Sequence, residues 1–194
     1  LPRPVVDFSA DPLVGCDPLS IDIENLSTGA KECMWVIDGD TTSTCGTFTR
    51  EFFEPGRKSV GLFVKSEAGC ESSLLRDNYI TVHETPTALF SMNPKRLDIL
   101  DTEVNLRDES QGRVVKYNWN FAGLDTSTEQ NPVYVMPEEP GRYPIKLRVT
   151  TDKNCSDEYV QSITVGDRYF MYIPSSFTPN GDGLNDGFGV KGIA

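Results

Sequence analysis

The chain has 194 residues, of which 38% are hydrophobic and 24% are charged, and its formal net charge at pH 7 is −11. This length predicts one or two domains, and the composition is that of a globular protein rather than a disordered one. Because an acidic chain repels nucleic acid and anionic membrane surfaces, we expect neither as a partner. No apolar run approaches the ~18 residues of a membrane-spanning helix, so none is predicted. Without an initial Met or a signal peptide, the chain is interpreted as a mature or trimmed fragment.

Five landmarks occur twice, in the same order and with an offset of 82 to 85 residues. They are Phe8-Ser9 and Phe90-Ser91, Trp35 and Trp119, the Glu-Pro-Gly-Arg of 54–57 and 139–142, Cys70 and Cys155, and the Ile-Thr-Val of 80–82 and 163–165. A nearly constant offset over several landmarks indicates a duplicated module. We therefore predict one module at residues 1–85, a second at 86–166, and a third segment at 167–194.

Apolar and polar residues alternate along several segments of both copies. The apolar positions are Leu19, Ile21 and Ile23, then Val60, Leu62 and Val64 in the first copy, and Val104 and Leu106, then Ile145, Leu147 and Val149 in the second. A period of two is typical of strands with one buried face. Many short strands within each copy predict an all-β protein made of two tandem immunoglobulin-like β-sandwiches. Trp35 and Trp119 are expected to lie in the two cores.

The first copy contains an even number of cysteines, namely Cys16, Cys33, Cys45 and Cys70. This count predicts two disulfides and an oxidising compartment. Three pairings are open, and we favour Cys16–Cys70 with Cys33–Cys45, because Cys16 and Cys70 are expected at the same end of the sandwich. Cys155 is then expected to be a lone, partly buried thiol. No closely spaced pair such as C-x₂-C occurs, so a zinc site is not predicted.

The sequence offers no catalytic constellation that we recognise. Its one histidine, His83, lies where a predicted strand ends. There is no G-x-S-x-G and no glycine-rich phosphate loop. Asp38 and Asp40 are a candidate carboxylate pair for glycoside hydrolysis, but Asp and Gly also favour tight turns, and we predict turn residues. We expect a protein that is not an enzyme.

The most unusual stretch is IPSSFTPNGDGLNDGF, residues 173–188. Its Asn180-Gly181-Asp182-Gly183 is similar to part of a calcium loop, although Thr178 stands where that motif requires an acid. The oxygen-bearing side chains of Asn180, Asp182 and Asp186 are candidate calcium ligands, since calcium takes hard oxygen donors. The alternative is a glycine-rich turn held by Asx hydrogen bonds. No other cofactor is predicted.

The Trp35-Val36-Ile37-Asp38-Gly39-Asp40 stretch resembles the polycystic kidney disease (PKD) domain signature Trp-Asp-Phe-Gly-Asp-Gly. The second copy is also similar to the family, at residues 119–124, at 126–132 and at the Pro-Gly-x-Tyr of 140–143. Its turn lacks the acids of the signature, so those acids have no general role. The resemblance implies an extracellular sandwich that serves as a spacer or binding module, and it implies no chemistry.

The run from Ile173 to Asp186 resembles the start of the gliding-motility-associated C-terminal domain of Bacteroidota, the type B sorting signal of the type IX secretion system. The residues that carry this resemblance are Phe177, Pro179, Asn180, Gly181, Asp182, Gly183, Leu184, Asn185 and Asp186. It implies that residues 167–194 are the truncated start of that domain and that the chain is part of a larger SprB-like gliding adhesin. The implied partners are the type IX secretion machinery and a PorP/SprF-like outer-membrane barrel protein. The implied location is secreted, on the cell surface and attached to the outer membrane.

Two other functions remain open on the sequence. The modules would be spacers with a sorting signal if a polysaccharide-degrading domain preceded them in a secreted enzyme. Alternatively, they would form a carbohydrate-binding module for surface polysaccharides, for which Tyr169, Phe170 and Tyr172 are the densest aromatic run. A hydrolase domain upstream would favour the enzyme, and a long array of similar repeats would favour the adhesin.

Overall fold

The computed structural model describes residues 3–167, 170–172 and 191–193. Its regular elements in these residues are all β-strands, as the period-two patterns predict. The chain forms two compact units. Unit 1 is the chain up to Thr87 together with two turns of the second sequence repeat, Gly112–Val115 and Thr150–Asp157. Unit 2 contains Ala88–Gln111, Lys116–Val149 and the described chain from Glu158 onward.

The first sequence repeat folds as two facing sheets of a β-sandwich. Its strands are β1 (Phe8–Asp11), β2 (Val14–Cys16), β3 (Leu19–Asn25), β4 (Glu32–Ile37), β5 (Asp40–Thr42), β6 (Phe48–Phe52), β7 (Gly56–Lys65) and β8 (Glu71–His83). The smaller sheet has the order β1-β3-β6, and the larger has the order β2-β8-β7-β4-β5. Strand β2 runs parallel to the last residues of β8, with Cys16 opposite His83. The described strand pairs are otherwise antiparallel.

The second sequence repeat has the same topology, strand for strand. Its strands are β9 (Phe90–Asn93), β10 (Arg96–Asp98), β11 (Glu103–Asp108), β12 (Val114–Phe121), β13 (Asp125–Ser127), β14 (Val133–Val135), β15 (Gly141–Thr151) and β16 (Ser156–Gly166). The orders are β14-β11-β9 and β10-β16-β15-β12-β13, and β10 runs parallel to β16. A further antiparallel pair joins β17 (Phe170–Tyr172) to β18 (Lys191–Ile193). The predicted all-β class with two immunoglobulin-like sandwiches is confirmed.

The cores follow from the alternation seen in the sequence. The predicted inward positions are all buried, namely Leu19, Ile21, Ile23, Val60, Leu62, Val64, Val104, Leu106, Ile145, Leu147 and Val149. Burial of one such side chain stabilises a fold by roughly 1.5–3 kcal/mol, so these rows contribute substantially to the stability of each sandwich. In the described residues no helix has the length and hydropathy needed to cross a membrane.

An aromatic triad stands at the centre of each core. In the first repeat, Phe8 lies edge-on to Trp35 at 5.3 Å between ring centroids and to Tyr79 at 5.7 Å. In the second, the corresponding distances are 5.0 Å from Phe90 to Trp119 and 5.4 Å from Phe90 to Tyr159. Edge-to-face packing places the positive ring edge against a negative ring face. The duplicated landmarks therefore mark a duplicated core.

The indole nitrogen of each buried tryptophan also forms a hydrogen bond. Trp35 donates its indole Nε1–H to the carbonyl of Thr44 at 2.9 Å, and Trp119 donates to the carbonyl of Glu129 at 2.8 Å. Neither side chain is exposed to solvent. Because a buried donor without an acceptor costs about 1–3 kcal/mol, each indole also fixes the loop that provides its acceptor. The predicted core positions of Trp35 and Trp119 are confirmed.

Candidate functional site

The most distinctive feature of unit 1 is a disulfide between Cys16 and Cys155, whose Cα atoms lie 5.6 Å apart. Cys16 is the last residue of β2, and Cys155 closes the turn between β15 and β16. The bond therefore connects a strand of the first sequence repeat to a turn of the second, 139 residues further along. Cys155 is buried, with 1% of its surface exposed.

This bond corrects two sequence-based predictions, the Cys16–Cys70 bridge and the lone Cys155 thiol. Cys16 pairs with His83, the last residue of β8, whereas Cys70 immediately precedes the first residue of that strand. A strand of 13 residues spans roughly 40 Å at about 3.3 Å per residue. A disulfide needs Cα atoms within about 7 Å, so Cys16 and Cys70 are at the wrong ends of β8 to bond. Cys70 takes part in neither disulfide of the structure.

The segment that follows Cys16 is anchored to the chain that leads out of β8. Asp17 donates its backbone N–H to the carbonyl of His83 at 2.9 Å. The Asp17 carboxylate in turn accepts the Thr85 backbone N–H at 2.5 Å, and the Thr85 hydroxyl donates to the Asp17 carbonyl at 2.6 Å. His83 is therefore a strand end, and its backbone helps to hold Cys16 in place.

The turn that carries Cys155 has the same design as the turn that carries Cys70. Thr151 donates its backbone N–H to the carbonyl of Cys155 at 2.8 Å, and Ser66 donates to Cys70 at 2.8 Å. The hydroxyl groups return the bond, since Thr151 Oγ1 accepts from Cys155 N at 3.2 Å and Ser66 Oγ accepts from Cys70 N at 3.1 Å. The residue before each cysteine has a positive φ, 63° at Asn154 and 83° at Gly69. The two cysteines occupy equivalent positions in equivalent turns.

The second disulfide, Cys33–Cys45, has Cα atoms 5.2 Å apart and confirms the predicted pairing. It joins β4 to the loop before β6. Asn25 Nδ2 lies 3.3 Å from Cys33 Sγ and donates to the Cys45 carbonyl at 3.2 Å. The bond thus fixes the loop whose Thr44 carbonyl accepts the Trp35 indole.

In the second repeat, hydrogen bonds stand where the first repeat has the Cys33–Cys45 disulfide. Asp108 pairs with Phe90 as Asn25 pairs with Phe8, so these polar residues are equivalent. Asp108 accepts a bond from Gln130 Nε2 at 3.1 Å, and its charge also acts on the Tyr117 hydroxyl. Burial, then the Asp108 charge and hydrogen bond, raise the pKa of Tyr117 above its ordinary value. Sequence reasoning missed this cluster, although the repeat offset aligns Tyr117 and Gln130 with Cys33 and Cys45.

The acids of the first turn are bound by basic side chains. Asp38 and Gly39 form a two-residue hairpin turn between β4 and β5, with φ of 52° and 91°. Asp38 Oδ2 lies 2.7 Å from Lys58 Nζ, and Asp40 forms an ion pair with Arg50. Asp and Gly are the residues that such a primed turn prefers. The turn interpretation of these two acids is confirmed, and each carboxylate already has a cationic partner.

The sorting-motif residues Phe177 to Asp186 and the candidate calcium ligands Asn180, Asp182 and Asp186 lie outside the described residues. Within the described ranges, no group of three or more His, Cys, Asp or Glu side chains is arranged to hold a metal ion. The side chains of Tyr169, Phe170 and Tyr172 are likewise not described.

Unit 1 carries an open groove of about 810 Å³ beside the Cys33–Cys45 bond. Its walls come from β4, from the loop that holds Thr44 and Cys45, and from the β7–β8 hairpin near Glu71. The large apolar side chains that line the groove are Met34 and Phe63, and both are close to half exposed. Lys31 bridges to Glu67 at 2.7 Å and Lys65 to Glu71 at 3.6 Å on the same hairpin end. The groove surface therefore carries charges of both signs. These charges form salt bridges with each other and do not point together at a single ligand position.

These features define a class of protein, a chain of tandem immunoglobulin-like β-sandwiches with disulfides. Two disulfides are consistent with a location outside the cytoplasm, where oxidising conditions maintain them. Residues 84–165 match the PKD domain family. The protein is therefore a PKD domain-containing chain with tandem immunoglobulin-like domains.

Similar proteins contain such domains as small parts of larger chains. The chain is 32% identical over 96 residues to the pre-pro-metalloprotease PrtV of Vibrio cholerae, which covers 49% of this chain and 10% of that protein. It is 30% identical over 86 residues to collagenase ColA of Bacillus cereus, covering 42% and 9%. The crystal structure of the PKD1 domain of PrtV is 32% identical, with 42% of this chain and 98% of that chain covered and a TM-score of 0.37. The chain thus spans about a tenth of the curated relatives it matches.

Proposed function

We propose that this chain is a non-catalytic part of a large secreted cell-surface adhesin involved in gliding motility. In this proposal the sandwiches are spacers that project from the cell. Residues 167–194 belong to the sorting domain that the type IX secretion machinery and a PorP/SprF-like outer-membrane partner recognise. The motif of residues 173–186 supports the route of export, because its resemblance to the type B sorting domain covers nine motif positions.

The spacer role is supported chiefly by the acidic side chains of the first turn, which form ion pairs within the fold. Asp38 and Asp40 are paired with Lys58 and Arg50, and the second repeat has Ala122 and Leu124 at the matching turn. A spacer must stay folded under tension outside the cell, and covalent cross-links restrict the unfolded chain. The two disulfides fit that requirement.

Secreted enzymes are a second candidate, favoured by the matches to a metalloprotease and a collagenase. Under this alternative the same modules would separate an upstream catalytic domain from the sorting signal. The sequence of the full-length gene product separates the two functions. An upstream hydrolase domain would favour the enzyme, whereas further sandwiches of this kind would favour the adhesin.

Export is tested by deleting residues 167 onward, with the remainder of the sorting domain, from the full-length protein in its own cells. We expect the sandwiches to stay folded and surface display to be lost, measured by antibody labelling of intact cells. A second variant replaces the motif residues Asp182 and Asp186 with Asn, which keeps the length and the glycines, and we expect it to lose surface display as well. If the deleted protein still reaches the surface and stays there, the sorting role is wrong.

A further inference from the structure

The Cys33–Cys45 disulfide is buried at one end and exposed at the other. Cys33 lies in β4 with 7% of its surface exposed, whereas Cys45 is an exposed residue of the loop before β6. Both cysteines line the open groove of about 810 Å³, which gives a small thiol a path to the bond. Because a thiolate must reach a disulfide sulfur in order to attack it, exposed disulfides are the labile ones.

We propose that Cys33–Cys45 is a thiol–disulfide exchange site, at which a dithiol reductant attacks Sγ of Cys45 and displaces Cys33. Reduction releases the loop of residues 43–47 from β4, and the sandwich stays folded. The Cys16–Cys155 bond resists the same reductant. The inference goes beyond the spacer role and does not depend on the export route, because it rests on the surroundings of the two bonds.

The surroundings of Cys33 make it the leaving group. Attack on its own sulfur would have to pass through the core cluster to which Cys33 belongs. Asn25 Nδ2 lies 3.3 Å from Cys33 Sγ, in position to donate a hydrogen bond to it. A donor at that distance stabilises a thiolate, and a stabilised thiolate leaves a disulfide faster. The mixed disulfide therefore forms at Cys45, and the negative charge develops on Cys33 beside the Asn25 amide.

Atoms and electrons balance over two exchange steps. In the first, the Cys33–Cys45 bond breaks as a thiolate of the reductant bonds to Cys45 Sγ, and the Cys33 thiolate takes a proton from solvent. In the second, the other thiolate of the reductant attacks the first sulfur of the reductant, which releases Cys45 and closes a disulfide in the reductant. Two electrons and two protons pass in total from the dithiol to the cysteine pair.

The second repeat shows that the sandwich keeps its fold without a disulfide at this place. Tyr117 and Gln130 stand at the two cysteine positions, by the repeat offset. Trp119 is nevertheless fully buried, and its indole donates to the carbonyl of Glu129 at 2.8 Å. Reduction of the first repeat therefore removes a clamp on one loop and not a cross-link that the core requires.

The loop that this clamp holds contributes to both the core and the groove. Its Thr44 carbonyl accepts the Trp35 indole N–H at 2.9 Å. Ser43, Thr44 and Cys45 also form one wall of the groove. The bond joins residues only 12 positions apart, against 139 for the other disulfide, so in the chain-entropy model its loss costs less global stability. Reduction thus frees a wall of the groove and weakens the Trp35 hydrogen bond.

The Cys16–Cys155 bond is protected where Cys33–Cys45 is open. Cys155 is 1% exposed and lies in a turn that two hydrogen bonds with Thr151 close. Cys16 is half-buried at the end of β2, and neither cysteine lines the groove. Since exchange requires access to a sulfur, the fold itself makes the two bonds react at different rates.

The order of reduction tests the proposal on the native 194-residue chain. Thiols present at the start are blocked with iodoacetamide, dithiothreitol is added in steps, and new thiols are labelled with an isotopically heavy reagent and mapped. We expect Cys33 and Cys45 to be labelled at concentrations that leave Cys16–Cys155 intact, while urea unfolding stays cooperative. In urea-unfolded chain, the control, both bonds should be reduced together. Simultaneous reduction in the native chain, earlier loss of Cys16–Cys155, or unfolding on loss of Cys33–Cys45 would overturn the proposal.

The direction of attack is tested with a monothiol, glutathione, which stops at the mixed disulfide. We expect glutathione to be found on Cys45 and the new thiol at Cys33. Asn25→Asp copies the Asp108 of the second repeat, and it should slow the reaction because a carboxylate repels the departing thiolate. A role of Asn25 only in holding the loop predicts faster reaction, because the loop would be looser. Glutathione chiefly on Cys33, or a rate in Asn25→Asp that is unchanged or higher, would refute the assigned roles.

Release of the loop is measured by hydrogen exchange of a peptide that contains residues 43–47. We expect faster exchange there in the partly reduced chain and in the Cys33→Ser/Cys45→Ser double variant. The corresponding loop of the second repeat, residues 128–131, is the matched control and should exchange as before. Equal exchange of residues 43–47 in the oxidised and reduced proteins would show that the bond does not hold the loop, and would overturn the proposal.

Discussion

Cys16 and Cys155 are covalently joined with their Cα atoms 5.6 Å apart, although they are separated by 139 residues and belong to different sequence repeats. The bond closes a long loop, which in the chain-entropy model is the kind of cross-link that restricts the unfolded state most. It also holds the β15–β16 turn in unit 1, next to the segment where β2 ends. The disulfide pattern is therefore a property of the tandem pair and not of one sandwich.

Replacing Cys16 with Ser is expected to lower the free energy of unfolding of unit 1 by about 2–5 kcal/mol, the usual effect of removing a native disulfide. The measurement is urea denaturation at pH 7 followed by Trp35 fluorescence in a Trp119→Phe background. Cys70→Ser is the matched control and should change stability by less than about 1 kcal/mol, because both disulfides remain.

A thiol count provides an independent measurement for the same bonds. The unfolded, unreduced 194-residue chain should react with one equivalent of a thiol reagent, and the labelled peptide should contain Cys70. Labelling at Cys155 would show that the Cys16 bond is not formed in solution.

Replacing Trp119 with Phe should destabilise unit 2, because the carbonyl of Glu129 loses its buried donor and the smaller ring leaves a space. We expect a loss of about 0.5–1.5 kcal/mol from this hydrogen bond alone, because Glu129 is an exposed residue whose carbonyl can bind water instead. Trp35→Phe should have an effect of similar size on unit 1, since Thr44 loses the same bond. Phe53→Leu, at a side chain that is 66% exposed, is the control and should remain within about 0.5 kcal/mol. Equal stability of all three variants would refute the core role of the indoles.

The stability of unit 2 should fall in alkaline solution. Burial and, secondarily, the Asp125 charge raise the pKa of Tyr134, which stacks on Phe121 with ring centroids 4.0 Å apart. A raised pKa means that the folded state favours the neutral phenol. Its contribution is complete below the unfolded value near pH 10, and it is lost as the pH rises through the folded value. Unfolding by urea between pH 8 and 11.5 should show this loss.

Tyr134→Phe keeps the stacked ring but has no ionisable hydroxyl. We expect this variant to lose less stability than the unmodified protein above pH 10, and to match it closely at pH 7. Asp125→Asn removes the secondary cause, so spectrophotometric titration should find the pKa of Tyr134 lower than in the unmodified chain. An unchanged alkaline profile in Tyr134→Phe would exclude this residue as the cause.

Gly39→Ala should destabilise the β4–β5 turn because of its backbone, not because of steric contact. Its φ is 91°, yet an added Cβ would meet no atom within 4 Å. A left-handed conformation costs an L-residue roughly 1–2 kcal/mol. Gly46→Ala is the matched control, since its Cβ would lie in ordinary contact with Thr44 and its φ is not in the positive region. Comparable thermal unfolding temperatures for the two variants would count against this explanation.

Local patterns in the sequence predicted most of the fold. Alternation over three or more positions places Ile21, Leu62 and Leu147 on buried faces, because strand side chains alternate between two sides. The duplicated Trp and Cys positions revealed the repeat, and the Asp38-Gly39 pair revealed a tight turn. Cys33 and Cys45 were also paired correctly, although this pairing accompanied the wrong assignment of Cys16 to Cys70; the two cysteines are only 12 residues apart in the chain. Each of these features depends on neighbours in the sequence.

The partner of Cys16 could not be deduced in this way. The strand that carries it, β2, has three residues, too few to show a period, and its parallel pairing with the far end of β8 decides which turn it approaches. The odd count of five cysteines and the offset of 85 between Cys70 and Cys155 were the available signals. A disulfide requires two Cα atoms within about 7 Å. The sequence determined which turns are equivalent, whereas only the tertiary structure decided which of them lies beside Cys16, because that distance depends on how distant parts of the chain pack.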